Sequence, residues 1–193
     1  MKFSRLALAT IVTALASTTA LAHTGHEHAA SFATGFVHPW SGLDHLLAMV
    51  AVGLWAGING GRALWAWPVT FASVMVAGGA LAMGGARVPA VEPGILASVI
   101  VLGLLALGAI RLPVAAGIAL VAVFALLHGY AHGAELPLEV AGVTYALGFA
   151  LATALLHAVG LGVACLSTGE RGLSLARGAG ALVAVSGVVL AFI

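Results

Sequence analysis

Charged side chains are the scarcest material in this chain. Only 7% of its 193 residues are Asp, Glu, Lys or Arg, against 62% hydrophobic, whereas a soluble domain carries roughly 25% charged residues. So few charges cannot cover a water-facing surface, and one water-soluble core cannot hide so much apolar side chain. A soluble globular domain is therefore excluded, and the bilayer is the natural solvent. Cysteine is almost absent as well. The single Cys165 rules out an internal disulfide framework, and in its apolar run it reads as a small core residue before a metal ligand. A net charge of +1 leaves no basic surface for nucleic acid. The chain also lacks a G-x-x-x-x-G-K-[ST] loop, so it does not hydrolyse ATP itself.

Long apolar sequence is what the chain has in quantity. At about 20 residues per span, five to seven helices fit and no separate soluble domain remains. The runs are continuously apolar instead of alternating every second residue, which argues for helices over a membrane barrel. The expected fold is an all-α polytopic membrane protein, a bundle of six transmembrane helices after a cleavable signal peptide. Residues 1–22 carry the signal features: Lys2 and Arg5, an apolar stretch over 6–15, and Ala20-Leu21-Ala22 as an A-x-A cleavage site. An uncleaved first helix is the alternative. Residues 23–37 are then an outward-facing arm, and residues 38–193 the membrane domain. The arm holds His23, His26, Glu27 and His28. A short His-rich tract of this kind reads as a metal-collecting segment, although terminal segments are often functionally silent.

The six apolar segments fall at about 39–58, 63–83, 94–110, 112–132, 140–166 and from beyond the 167–177 loop to 193, with boundary errors of about two to four residues. A second loop is expected over 133–139. With the N-terminus outside, Arg62, Arg111, Arg171 and Arg177 fall in cytoplasmic connections and only Arg87 outside. That arrangement obeys the positive-inside rule, places Ile193 outside, and suggests a bacterial inner membrane. Twenty-six glycines include pairs four apart, Gly53/Gly57, Gly57/Gly61 and Gly129/Gly133. This spacing lets helices approach closely, chiefly within one chain, with a homo-oligomer as the other use.

Ionisable groups inside spans are costly and mark functional positions. The first segment opens HPWSGLDHLLAMVAVG. Its Pro39 suits a first helical turn. His38 and His45, seven apart, then share one helix face with Met49, and Asp44 either binds metal or orients a histidine ring. The fourth segment ends LLHGYAHGAELP. If the helix persists that far, His128, His132 and Glu135 lie on one stripe, and imidazoles at i, i+4 can chelate one ion. The fifth segment places Thr153 and His157 one turn apart. His157 comes roughly 25 Å from the outer start of its span, so it reads as an inner relay or as a histidine bonded to a backbone carbonyl. A nitrogen- and oxygen-rich donor set favours Ni²⁺, Co²⁺, Cu²⁺ or Zn²⁺ and disfavours Mg²⁺ and Ca²⁺. No bound organic cofactor and no enzymatic activity are expected.

These segments resemble the HupE/UreJ permeases, hydrogenase- and urease-accessory proteins associated with nickel uptake. HPWSGLDHLLAMVAVG is similar to the family's H-P-x-x-G-x-D-H signature and the run after it. LLHGYAHGAE resembles its H-G-x-A-H-G-x-E signature, and GFALATALLHAVG resembles G-F-x-x-x-T-x-x-L-H-x-x-G. The resemblance implies that His38, Asp44, His45, His128, His132 and Glu135 are needed for transport, and His157 more weakly. It implies nickel, with cobalt as the recurrent alternative, and cytoplasmic nickel-handling proteins as partners. The arm lies outside these signatures. Competing readings are a copper or zinc transporter, a non-conducting metal-binding accessory subunit, a bis-histidine haem protein and an intramembrane metalloenzyme, the last lacking an H-E-x-x-H motif.

Overall fold

The computed structural model describes residues 31–135, 142–165 and 169–193. The signal segment, His23, His26 and His28 lie outside the described residues, as does the part of the 133–139 loop beyond Glu135. The described residues form seven α-helices and no strand: α1 (Phe32–Ser41), α2 (Leu43–Asn59), α3 (Ala63–Met83), α4 (Val91–Leu107), α5 (Val114–Glu135), α6 (Gly142–Cys165) and α7 (Gly169–Leu190). Four of these are long and apolar enough to cross a membrane, or five if the bent α1–α2 pair is one span; α4 is a shorter apolar helix. The chain is therefore a polytopic helical membrane protein.

Helix α6 shows how such a helix is built. Val143, Leu147, Leu151, Leu155 and Val159 form an exposed apolar stripe at four-residue spacing, while Tyr145, Gly148, Phe149, Ala152, Thr153, Leu156 and His157 are buried. A helix apolar on both faces suits protein on one side and lipid on the other.

Close glycine contacts set the relative direction of three helix pairs. Gly53 meets His157 and Gly57 meets Ala164, so α2 and α6 run parallel. Gly129 meets Met75 and Gly133 meets Gly79, so α3 and α5 also run parallel. Gly180 meets Ala106 and Leu107 while Gly187 meets Val99 and Ile100, so α4 and α7 are antiparallel. At Gly53 and Gly129 a Cβ would run into the His157 and Met75 carbonyl groups, so only glycine permits these approaches. The glycine spacings thus serve packing within the chain. Gly61 is the exception: its φ of 55° marks a turn and nothing packs on it.

One end of the bundle carries Arg62, Arg111 and Arg177. It is closed by the stacked Trp55 and Trp67 rings, 4.1 Å apart. Their indole N–H groups donate to the Ile110 and Val114 carbonyls, and Asn59 accepts from the Leu112 N–H. Arg177 Nε donates to the Leu107 carbonyl at 2.8 Å. Arg87 follows Ala86, whose carbonyl accepts from Tyr130 at the opposite end.

Several expectations are corrected. The first segment does not begin at Pro39. Pro39 lies near the end of α1, the chain is extended at Gly42, and α2 leaves at 87° to α1. The Ser41 hydroxyl bonds the His38 carbonyl, ending α1, and Ser31 and Thr34 form a reciprocal capping box that starts it within the segment read as an arm. Helix α4 starts three residues earlier than expected and ends at Leu107, before Arg111, where Gly108 and left-handed Ala109 break it. Residues 169–177, read as loop, are helical. Cys165 is exposed at the end of α6 and is not a core residue.

Candidate metal centre

The end opposite the tryptophan pair holds most of the ionisable side chains. Helix α5 persists to Glu135, so His128, His132 and Glu135 lie along one stripe. Each histidine is followed by a glycine, Gly129 or Gly133, that lets α3 lie close behind it. The bend at Gly42 brings α1 over this stripe. His38 and His45 therefore do not share one helix face; the turn between two helices places them on either side of His132.

Four imidazoles form a chain. Ring centroids are 4.7 Å apart for His38–His132, 4.3 Å for His132–His45 and 4.8 Å for His45–His128. His38 Nε2 lies 3.8 Å from Glu135 Oε2. Side-chain exposure falls from 49% at Glu135 and 36% at His38 to 13% at His45, and His132 and His128 are buried. The cluster thus runs from an exposed carboxylate into the bundle interior. Phe149 packs on His132 with centroids 4.3 Å apart, and Tyr145 lies 6.0 Å from His38.

The hydrogen bonds define which nitrogens are free. Asp44 Oδ1 accepts from His45 Nδ1–H at 2.7 Å and from the His45 backbone N–H at 2.8 Å. Asp44 therefore holds the ring, and His45 Nε2 is left buried without a partner. Gly42 lies against this pair: a Cβ there would sit 3.0 Å from Asp44 Oδ1 and 3.1 Å from His45 Nδ1, a physical reason for glycine in that motif. His128 Nδ1 and both nitrogens of His132 are likewise buried and unpartnered. Unsatisfied buried polar groups each cost about 1–3 kcal/mol, and several converging in one place suit a ligand that accepts lone pairs.

His38, His132 and Glu135 each offer a ligand atom, all within 4.8 Å of one another. Metal–nitrogen bonds of about 2.0–2.1 Å put two ligands on one ion at most about 4.2 Å apart, so the widest pair needs to close by roughly half an ångström. The donor set fits a late divalent transition metal.

His157 stands apart from this cluster. Its ring packs edge-on against Phe71 at 5.2 Å, and Phe71 also lies 5.6 Å from the His128 ring. Both His157 nitrogens are buried and unpartnered, which leaves out the carbonyl-bonded alternative. Thr153, one turn away, donates to Met75 Sδ at 3.8 Å. Met49, one turn beyond His45, is buried among the apolar core residues.

Sequence reasoning missed three contributors. Ser98 bonds His128 at 2.9 Å, Phe71 touches both His128 and His157, and Phe149 flanks His132. Ser98 had a readable signal, a hydroxyl inside an apolar segment. Phe71 and Phe149 had none, because aromatic residues in apolar runs are ordinary core.

Residues 11–190 match the family model described as HupE / UreJ protein. Protein HupE of Rhizobium leguminosarum bv. viciae is 43% identical over 190 residues, covering 98% of each chain. No solved structure matches.

Proposed function

The chain belongs to the HupE/UreJ family, and from that premise we propose that it is a permease that carries Ni²⁺ into the cytoplasm for metalloenzyme maturation. The family consists of membrane accessory and transport proteins, not enzymes. The observation that carries the proposal is the line of buried imidazoles with converging free nitrogens in a membrane bundle. Metal enters at Glu135 and His38, loses water to His132 and His45, and reaches His128. It then passes Phe71 to His157. Release inward requires each station to bind only moderately. Co²⁺ fits the same donors, and the metal's identity rests on the family.

In this reading α2 to α7 are six spans of alternating direction, and the 87° bend lays α1 close to the membrane plane over the mouth. The arginine-bearing end faces the cytoplasm of the inner membrane, by the positive-inside rule, and both termini of the mature chain lie outside. The arm bearing His23, His26 and His28 collects metal at the mouth.

The test is uptake of ⁶³Ni into proteoliposomes, with Co, Zn and Cu as competitors, for wild type, His45→Ala and His132→Ala. Wild-type vesicles should accumulate nickel above empty ones, and both variants should lose at least about tenfold of that uptake. Binding without accumulation would refute transport and leave a non-conducting accessory protein. Normal transport by both variants would refute the site.

A further inference from the structure

We propose that Ser98 of α4 is a positioning residue of this centre, holding His128 in the tautomer that leaves Nδ1 free for the ion. The inference rests on the metal-binding reading of the cluster and adds a residue to it.

A serine hydroxyl has one hydrogen and two lone pairs. Ser98 Oγ donates that hydrogen to the Ile95 carbonyl at 2.6 Å. Only lone pairs then remain for His128 Nε2, 2.9 Å away. The imidazole must be the donor, so its proton sits on Nε2. A neutral imidazole carries one N–H, so Nδ1 keeps its lone pair. Nδ1 is the buried nitrogen of His128 without a partner, on a ring 4.8 Å from that of His45. Ser98 and His128 are both fully buried, so no water competes for these bonds. The other tautomer would bury an Nδ1–H with nothing to accept it.

Ser98 thus does for His128 what Asp44 does for His45, on the opposite ring nitrogen. The two devices come from different helices, α4 and α2, and each ties one proton away from the centre. They differ in charge. A carboxylate partner raises the basicity of a metal-binding imidazole, and a neutral hydroxyl raises it less. His128 is therefore the weaker donor of the two, which suits the innermost ligand of a site that must release its ion.

The experiment uses the full chain in lipid nanodiscs, labelled with ¹⁵N-histidine, for wild type, Ser98→Ala and Ser98→Thr. His128→Gln assigns the His128 signals. Metal-free wild type should show His128 as the Nε2–H tautomer. Ser98→Ala should show mixed tautomers and bind Ni²⁺ about 10–100-fold more weakly; Ser98→Thr, which keeps the hydroxyl, should restore both. A wild-type His128 protonated on Nδ1 overturns the proposal, as does a Ser98→Ala protein with unchanged tautomer and affinity. If wild type binds no metal, the reading of the cluster fails, and the metal-free spectrum still decides whether Ser98 fixes the ring.

Discussion

Replacing Asp44 by Asn changes one charge and almost no shape, so it isolates what the carboxylate does. Asp44 Oδ1 accepts from His45 Nδ1–H at 2.7 Å and from its backbone N–H at 2.8 Å, and the side chain is only 26% exposed. Hydrogen bonds to charged groups contribute about 1.5–3 kcal/mol and neutral ones about 0.5–1.5 kcal/mol. Losing the charge should therefore weaken the hold on His45 by about 1–1.5 kcal/mol, a factor of roughly ten in affinity. A second effect adds to this. The amide can turn its NH₂ toward Nδ1, which moves the imidazole proton to Nε2 and removes the lone pair aimed at the ion. The two together should lower Ni²⁺ affinity by about 10–100-fold, the range found when the partner of a metal-binding histidine is lost. The assay is calorimetric Ni²⁺ titration of the protein in nanodiscs, beside ⁶³Ni uptake. His45→Ala, which deletes the ligand itself, should lose more than Asp44→Asn. An Asp44→Asn protein that binds within twofold of wild type would refute the reasoning, because the carboxylate would then neither orient nor polarise the ring.

Phe71→Leu, milder than an alanine change that costs about 3–5 kcal/mol in a packed core, should thin the apolar barrier between His128 and His157. Nickel flux should rise several-fold and discrimination against Zn²⁺ should fall; unchanged flux and selectivity in proteoliposomes would remove Phe71 from the route. Deleting residues 23–28 should raise the nickel concentration for half-maximal uptake and spare the maximal rate. An unchanged concentration dependence would make that arm silent.

The helical membrane class was legible because it follows from composition: with 7% charge and 62% apolar residues only lipid can solvate the outer faces. Helix interiors were legible for the same reason, since an apolar run has one way to satisfy its backbone in a bilayer. The ends were less so. Arg111 reads as the stop of the third segment, yet Gly108 and left-handed Ala109 end the helix at Leu107. The charged 167–177 segment reads as a loop, yet it is helical from Gly169; a helix tolerates charge where it reaches the membrane edge, as Arg177 does against the Leu107 carbonyl.

The sequence by itself marked the histidines and carboxylates as the candidates for chemistry, because ionisable side chains in apolar segments are too costly to keep without partners. It determined the spacing along α5 too, since a regular helix turns spacing into position. The tertiary structure decided how those residues meet. Spacing on one helix joined His38 to His45; the bend at Gly42 instead set them on two helices with His132 between. It also brought Ser98 and Phe71 against His128, because α3, α4 and α5 pack together. Local periodicity reports what one helix presents, whereas contacts between helices depend on bends and close glycine approaches that no single segment encodes.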